Sequence, residues 1–204
     1  IYIEDIPVFV CERYDRKLNI DENKIERIHQ EDFCQALSVM SDNKYQADGG
    51  PSYADCLNLI QNHFSNPLQD SSKFLKSILF NYLTGNCDAH AKNYSLITTE
   101  GKIYLSPLYD LVSTSIYKSL THKMAMKVGT EYDIEKIRRS DFIKQAESCG
   151  IKPRFWQNAI EEFNEQFNSA LQQVVLLQEL KEYSELLQLM EKQIKLRLVS
   201  SQFC

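Results

Sequence analysis

The polar residues best suited to chemistry lie in the stretch GNCDAHAKN, residues 85–93, and at Asp110, one predicted hairpin further on. The Asp88 carboxylate can accept or orient the proton of an attacking hydroxyl. The Asn93 amide oxygen and the Asp110 carboxylate are hard donors that suit Mg²⁺ bound to nucleotide phosphates. Lys92 supplies a cation that can stabilise the charge of a transferring phosphoryl group. These residue types predict phosphoryl transfer, with ATP and Mg²⁺ as cofactors.

Their order along the chain supports the same interpretation. Asp88 and Asn93 are five residues apart, and a second acid follows, which is the order of the catalytic loop and the metal-binding aspartate in protein kinases. The spacing alone also arises by chance, and an isolated Asp is more often a turn residue. What favours a cleft is the density of polar side chains directly after an apolar helix, at Asn86, Asp88, His90, Lys92 and Asn93.

The elements around this stretch can bring its two halves together. Residues 73–83 (KFLKSILFNYL) have a wide apolar stripe at helical spacing, which predicts a core helix that ends at Gly85. A hairpin is predicted from Tyr94–Ile97 and Ile103–Leu105. Such a hairpin returns Asp110 to the end of the helix.

The rest of the chain predicts a mainly α fold with one strand in front of it. Residues 1–14 are rich in Ile, Val and Phe, and their run Val8–Cys11 is predicted to be a buried strand. Residues 31–39 predict a short helix, and Ser52 can cap another. From residue 133 onwards the pattern is helical to the end, with apolar faces that are expected to be core.

Composition narrows the class of protein. The 204 residues are 43% hydrophobic and 25% charged, with a net charge of −5, which is ordinary for a globular domain and argues against a nucleic-acid coat. The six cysteines lack zinc-like spacing and are expected to be reduced thiols. Because the chain begins at Ile1 within a predicted strand, we expect it to be the back part of a longer polypeptide.

Five blocks in order give a specific resemblance. The chain resembles the C-terminal domain of the HipA family, bacterial serine/threonine kinase toxins, in the blocks VCERYDR, HQEDFCQAL, KYQADGGPS, GNCDAHAKNYSLI and LSPLYDLVST. The resemblance implies a protein-kinase-like large C-lobe. It implies a hinge strand at residues 1–16 from an absent N-lobe, and a helical lobe at 17–204 with a catalytic loop (85–93), a metal-binding segment (106–114) and a helical tail (133–204).

The resemblance also assigns roles to single residues. Asp88 matches the catalytic aspartate, Lys92 lies beside it in the catalytic loop, and Asn93 and Asp110 match the metal ligands. The positions implied for the nucleotide are Glu12, Arg13, Tyr14, Gln30, His90, Lys92, Asn93, Tyr109 and Asp110. Two alternatives remain open from the residues themselves: Glu12 can form a surface ion pair with Arg13 or Arg16, and His90 can be a structural histidine.

The implied function is a cytoplasmic toxin kinase without a membrane segment. Its expected substrate is a serine of an aminoacyl-tRNA synthetase, whose phosphorylation stops translation and growth, and its expected partner is a small DNA-binding antitoxin. DNA contact is expected only through that antitoxin, because residues 145–150 contain an acid and no base. No phosphate-covering glycine loop or strand lysine occurs, so an N-lobe in cis or from a second chain must supply them.

Two other functions compete with this one. The first is a catalytically inactive kinase-like scaffold that binds an antitoxin. The second is a metal hydrolase built on Asp88, His90 and Asp110, which would need further ligands that the remaining histidines do not offer at a suitable spacing.

Overall fold

The computed structural model of the protein describes residues 2–4, 6–8, 10–21, 23–176 and 183–201. Within these ranges the helices are α1 (Phe33–Ala36), α2 (Tyr53–His63), α3 (Pro67–Thr84), α4 (Arg139–Ser148), α5 (Arg154–Leu176) and α6 (Ser184–Ser201). The strands are β1 (Tyr2–Ile3), β2 (Ile6–Pro7), β3 (Arg16–Asn19), β4 (Lys24–Arg27), β5 (His29–Asp32), β6 (Ser95–Thr99), β7 (Lys102–Leu105), β8 (Lys123–Val128) and β9 (Glu131–Asp133).

Helix α3 is the centre of the core. It begins with proline at its first turn, where the missing N–H costs nothing, and it ends at Gly85, whose left-handed backbone (φ +81°) closes the last turn. Its apolar stripe is buried as predicted, and α2, α5 and α6 pack against it. This helix therefore fixes where the segment that follows Gly85 can start.

Aromatic side chains pack on both halves of α3. On one half, the Phe74 and Tyr94 rings meet edge to face with centroids 4.9 Å apart. On the other, Tyr82 contacts Phe142 at 5.3 Å, and Phe142 contacts Trp156 at 5.2 Å. Edge-to-face pairs of this kind add stability beyond the burial of their area. They hold the start of the hairpin against one half of α3, and they hold α4 and α5 against the other half.

The predicted hairpin is present and belongs to a three-stranded sheet. Strands β6 and β7 pair antiparallel, and β5 pairs with the free edge of β6. The capped helix predicted at Ser52 is also present, since the Ser52 hydroxyl accepts the backbone N–H of Asp55. Of these elements, β6 and β7 take the chain away from the end of α3 and back towards Asp110.

The prediction for the front of the chain was wrong in one respect. Instead of a buried strand through Val8–Cys11, β1 and β2 pair as a short antiparallel hairpin, and the described residues of that run, 8, 10 and 11, are not in a strand. Phe9 lies outside the described residues. Val10 is 64% exposed. An apolar run becomes a buried strand only beside a partner strand, and the described residues offer it none.

The fold is also more mixed than the mainly α prediction. The described residues form nine short strands in four small sheets, rather than one strand and one hairpin. Strands β8 and β9 were not predicted, although Met124, Met126 and Val128 alternate with other residues before a turn at Gly129. All three of these side chains are buried.

Helix α6 buries a charged residue beside its apolar ones. Leu196 is 61% exposed, whereas Ile194, Leu198 and the charged Arg197 are buried. The Arg197 guanidinium donates to the Leu83 carbonyl oxygen at 3.2 Å and to the Ser115 hydroxyl at 2.8 Å. The last described helix thus supports the end of α3.

Two smaller observations complete the architecture. The five described cysteines are free thiols, and four of them are buried. Among the described helices, none combines the length and apolar character that a bilayer crossing requires.

The turn at Gly85 generates a stability prediction. A β-carbon on Gly85 would overlap the Ser115 hydroxyl and crowd Arg197, in addition to its left-handed φ. We expect Gly85→Ala to lower the free energy of unfolding by roughly 2–4 kcal/mol, measured by urea denaturation. The matched control is Gly101→Ala, at φ +72° with open space around it, for which about 1 kcal/mol is expected. Equal losses for the two variants would contradict the crowding at Gly85.

Candidate active site

A network of buried amides connects α3 to the candidate site. The Asn86 side chain, 1% exposed, donates to Asn81 Oδ1 at 3.1 Å and to the Asp110 carbonyl oxygen at 3.0 Å. Its own oxygen accepts the Asp88 backbone N–H at 3.1 Å. Asn81 also donates to the Tyr94 hydroxyl at 3.0 Å. One amide therefore joins the core helix, the Asp88 backbone and the Asp110 backbone.

The segment after Asp110 is tied to the same turn. The backbone N–H groups of Thr114 and Ser115 both donate to the Gly85 carbonyl oxygen at 3.0 Å. The Cys87 N–H donates to the Thr114 hydroxyl at 2.9 Å. Strand β8 joins on the other side, where the Ala125 N–H donates to the Cys87 carbonyl oxygen at 2.8 Å. The turn is held from two directions.

The predicted metal ligands Asn93 and Asp110 lie in direct contact. The Asn93 amide nitrogen donates to Asp110 Oδ2, and its oxygen accepts the His90 backbone N–H at 3.1 Å. Asp110 has a left-handed backbone with φ +56°, a conformation that Asp tolerates better than most residues. Strained backbone of this kind is concentrated at functional sites. Asn93 is buried and Asp110 is exposed, so the Asp110 carboxylate of this pair is open to ligands from solvent.

The donor set of this pair fits Mg²⁺ bound together with phosphates. Mg²⁺ is usually held by one or two carboxylates plus substrate oxygens and water, rather than by a protein cage. Asp110 supplies a carboxylate, and the Asn93 oxygen has a second lone pair beyond the one used by His90. In the described part of the chain no group of three or more His, Cys, Asp or Glu side chains could hold a metal; the hydrolase alternative would require such a group.

The Asp88 carboxylate has a partner that the sequence did not predict. The Tyr45 hydroxyl donates to Asp88 Oδ1 at 2.8 Å across 43 residues of sequence. Burial, followed by this hydrogen bond, raises the pKa of Tyr45 to about 12. Tyr45 therefore remains a proton donor that orients the carboxylate. Its only sequence signal was its place in the block KYQADGGPS.

The Lys92 ammonium is hydrogen-bonded to a residue outside the catalytic loop. It donates to the Ser41 hydroxyl at 2.9 Å, in the turn Ser41–Asn43. The Lys92 backbone carbonyl, by contrast, accepts the Tyr109 hydroxyl at 2.7 Å. The structure thus uses the Lys92 main chain to shape the site, while its catalytic role remains a prediction.

His90 is buried against the same loop. Its ring meets Tyr45 edge to face with centroids 5.5 Å apart, and its side chain is 6% exposed. Burial, and then the nearby Lys44 charge, lowers the pKa of His90 below its usual range. The lowered pKa favours the neutral form of the ring at pH 7.

Three of the residues assigned to the nucleotide come together on one side of the catalytic loop. The Tyr14 and Tyr109 rings stack with centroids 6.1 Å apart, and the Tyr14 hydroxyl donates to Gln30 Oε1 at 2.5 Å. The Tyr109 hydroxyl also contacts the Ser95 hydroxyl at 2.6 Å, and burial raises its pKa to about 12. The two rings form an aromatic surface, and the hydrogen bond from Tyr109 to the Lys92 carbonyl oxygen connects it to the catalytic loop.

Glu12 and Arg13 behave differently from each other. Arg13 makes a two-pronged ion pair with Asp15, at 2.8 and 2.7 Å, while Glu12 is exposed. The ion pair considered from the sequence, between Glu12 and Arg13 or Arg16, is replaced by one in which both arginines bind Asp15. Asp15 was missed because its partners are its own sequence neighbours in a charged run.

The amide network generates the second prediction. Asn86→Ala would leave buried groups of Asn81, Asp88 and Asp110 without their partner, so we expect the free energy of unfolding to fall by roughly 2–4 kcal/mol. The control Asn62→Ala removes an exposed amide that bonds only within α2 and should cost about 0.5 kcal/mol or less. Urea denaturation of both variants measures the difference, and similar values would argue against the network.

The Asp15 ion pair generates a pH prediction. The hydrogen bond from Arg13 is the main cause that lowers the pKa of Asp15 to about 2, from 3.8. A carboxyl with a lowered pKa stabilises the folded state above its unfolded pKa, and this contribution is lost as the pH falls from about 4 towards 2. We expect Asp15→Asn to be less stable than the parent at pH 7, and the gap to close near pH 2 in denaturation curves. The control is Asp42→Asn, an exposed acid outside this pair; a gap that persists at pH 2 would contradict the assignment.

Comparison with known proteins places these features in a family. Residues 1–171 match the family model described as HipA-like C-terminal domain. Over 145 residues the chain is 40% identical to "Putative kinase Y4mE" of Sinorhizobium fredii, and over 177 residues it is 29% identical to the serine/threonine-protein kinase toxin HipA of Shewanella oneidensis. These alignments cover 71% and 81% of this chain.

Comparison with solved structures identifies the same family. A solved structure of Shewanella oneidensis HipA, in complex with HipB and operator DNA, superposes with a TM-score of 0.84 at 27% identity and covers 92% of this chain. The chain spans 34% and 41% of the length of the two sequence relatives and 47% of the solved HipA chain. The resemblance predicted from five sequence blocks is confirmed: the chain belongs to the family of HipA-like C-terminal domains.

Proposed function

We propose that this chain is the catalytic C-lobe of an ATP-dependent serine/threonine protein kinase of the toxin type. The observation that carries the proposal is the convergence of Asp88, Asn93 and Asp110 on one amide-bonded turn. The kinase names of its relatives support the same reaction class.

Each side chain has a distinct task in this proposal. Asp88, oriented by Tyr45, accepts the proton of the incoming serine or threonine hydroxyl. Asn93 and Asp110 hold Mg²⁺, which neutralises phosphate charge when it is bound. Lys92 supplies positive charge beside the transferring phosphoryl group. In the structure its ammonium donates to the Ser41 hydroxyl, so this role requires the Lys92 side chain to adopt another rotamer.

The nucleotide base lies on the aromatic side of the loop. Tyr14 and Tyr109 offer ring faces on which adenine can stack, and Gln30 lies beside them. The backbone at Glu12 and Arg13 provides hydrogen-bonding groups at the hinge. His90 stabilises the loop from within, as a buried neutral ring.

The remaining parts of the proposal concern partners. An N-lobe, in cis or from a second chain, covers the ATP phosphates, and a serine of an aminoacyl-tRNA synthetase in the cytoplasm is the acceptor. A small DNA-binding antitoxin is the regulatory partner and the only link to DNA. Support for the antitoxin comes from the HipA relative, whose structure contains HipB and operator DNA.

The competing scaffold function shares the antitoxin but lacks nucleotide chemistry. A scaffold would bind its partner without a Mg²⁺-dependent affinity for ATP. A thermal-shift titration of the intact protein with ATP, with and without Mg²⁺, separates the two. A Mg²⁺-dependent rise in Tm supports the kinase, because a ligand that binds only the folded state stabilises it.

The role of Asp88 generates the fourth prediction. Asp88→Asn keeps the shape of the side chain and can still accept from Tyr45, but it loses the charge that attracts the hydroxyl proton. We expect phosphate transfer from radiolabelled ATP by the intact protein to fall by roughly 10²–10⁴-fold. The Tm shift with Mg²⁺ and ATP should persist, since Asp88 is not a proposed metal ligand.

The control for this measurement is Asp42→Asn, which removes an exposed acid from the neighbouring turn. It should leave the transfer rate unchanged. Full transfer activity in Asp88→Asn would remove this residue from the role of proton acceptor.

A further inference from the structure

A groove between α3 and α5 lies beside the metal-binding segment, and none of the roles above uses it. Its volume is about 640 Å³, within the range of roughly 300–1,000 Å³ that is typical of sites for small molecules. One wall is the face of α3 between Gln69 and Phe80, and another is the face of α5 between Ala159 and Gln166. Leu108 and Leu111 contribute a third wall to this α3–α5 groove.

The surface of the α3–α5 groove is mainly apolar. Its hydrocarbon side chains are Leu79, Phe80, Leu108, Leu111, Ala159 and Phe163. The Phe80 and Phe163 rings, one from each helix, meet edge to face with centroids 6.2 Å apart. Leu111 remains 45% exposed beside them. A ligand with an apolar body can therefore bury both its own surface and that of the groove.

One lysine in the groove, Lys73, is bonded to a neutral oxygen rather than to an acid. Its ammonium donates to the Ser106 carbonyl oxygen at 2.9 Å, and among the described residues no carboxylate forms an ion pair with it. Lys76 differs, since it binds Glu162 at 2.6 Å and the two charges cancel. Burial lowers the pKa of Lys73, and the charge of Asp70 opposes this effect only in part. A partly desolvated cation of this kind is stabilised by an anion.

The spacing along α3 sets the shape of a matching ligand. Lys73 and Phe80 are about two turns apart, a rise of roughly 11 Å. An unbranched hydrocarbon tail of medium length spans that distance, and the aliphatic stem of Lys76 adds apolar surface between the two. A cationic end group would lie against Lys73 and is disfavoured. The groove therefore matches the chemistry of a fatty acid, one carboxylate on an unbranched apolar tail.

Lys73 also connects the groove to the metal-binding segment. Ser106, which accepts its hydrogen bond, is the first residue of that segment. Leu108 and Leu111 stand on either side of Asp110 in the sequence, and both line the groove. A ligand that packs against the two leucines favours the conformation in which the segment is folded against α3. The order of the backbone around Asp110 therefore depends on whether the groove is occupied.

We propose that the α3–α5 groove binds a carboxylate with an unbranched apolar tail, and that the bound ligand stabilises the metal-binding segment. The carboxylate lies at Lys73, and the tail lies along Phe80 and Phe163. Binding does not require the proposed kinase function. An effect of the ligand on ATP does rest on that function, because it needs Asp110 to hold Mg²⁺.

Isothermal titration calorimetry with the intact protein tests binding. The probes are decanoate, decanol and decyltrimethylammonium, which share one tail and differ in their end group, each kept below the concentration at which it forms micelles. We expect the Kd of decanoate to be roughly five- to tenfold lower than that of decanol, and the cation to bind most weakly. Lys73→Met keeps the aliphatic stem and should abolish the preference for decanoate, while decanol still binds.

The matched control is Lys118→Met, which makes the same change in charge at an exposed residue that is not among the described residues of the groove. It should leave the preference for decanoate unchanged. Equal affinity of the parent protein for decanoate and decanol, or an equal loss in the control, would overturn the proposal. Lys73→Gln retains a donor for the Ser106 carbonyl oxygen and provides the same comparison should the methionine variant not fold.

A blocking variant locates the binding site. Ser72 lines the groove on α3 and is half-buried, so Ser72→Phe places a ring where the ligand is proposed to lie. Binding of decanoate and decanol should both weaken by roughly tenfold or more. Undiminished binding of decanoate in this variant would place the site elsewhere and overturn the proposal.

Hydrogen exchange tests the effect on the metal-binding segment. With saturating decanoate, the backbone amides of residues 106–114 should exchange roughly two- to fivefold more slowly than without it. The exposed hairpin turn at residues 99–102 is the internal control and should exchange at the same rate in both samples. Unchanged exchange at residues 106–114 would reject the stabilisation of this segment.

A thermal-shift titration separates this inference from the kinase function. A rise in Tm with Mg²⁺ and ATP that changes when decanoate is present supports both. A rise that decanoate leaves unchanged keeps the nucleotide site and rejects a link between it and the groove. Decanoate binding that depends on Lys73, without any rise in Tm from Mg²⁺ and ATP, rejects the kinase function and keeps the carboxylate site.

Discussion

The geometry of the candidate site depends on one buried amide. Asn86 satisfies its hydrogen bonds with the core helix, with the Asp88 backbone and with the Asp110 backbone, and it does so out of contact with water. Each of these bonds is modest by itself, but breaking any of them would leave a buried polar group unpaired, which costs more than the bond contributes. The turn after Gly85 is therefore held in one arrangement relative to α3. The groups proposed to bind the metal and the proton are positioned by that arrangement.

The small sheets position the segments on either side of the catalytic loop. Strands β6 and β7 lead the chain from Asn93 back to Asp110, and β5 pairs with β6. On the other side, the Ala125 N–H of β8 donates to the Cys87 carbonyl oxygen in the turn. Sheets this small are marginal alone, and the β5–β6–β7 sheet is supported by the packing of Tyr94 against Phe74 of α3. The result is a helical body with polar groups arranged along one edge, where ligands can reach them.

Features set by local patterns were predictable. The stripe of α3, its end at Gly85, the β6–β7 hairpin and the grouping of Asp88, Asn93 and Asp110 all follow from short-range spacing. Features set by distant contacts were not: Tyr45 meets Asp88 across 43 residues, and Tyr14 meets Tyr109 through the fold. The prediction of a buried strand near the start of the chain was wrong for a related reason. An apolar run alone does not indicate whether a partner strand lies beside it. The alternation in β8 was readable but is carried by methionines, which are weak strand signals.

Helix α6 has a consequence for how the domain is delimited. The family match ends at residue 171, yet Arg197 reaches from beyond that boundary to the last turn of α3 and to Ser115. The residues that match the family model and the residues that support the catalytic turn therefore end at different points along the chain. A chain shortened to the matched residues 1–171 would lack Arg197 and the hydrogen bonds that hold the end of α3 and Ser115, so it would keep the catalytic residues but lose part of what positions them.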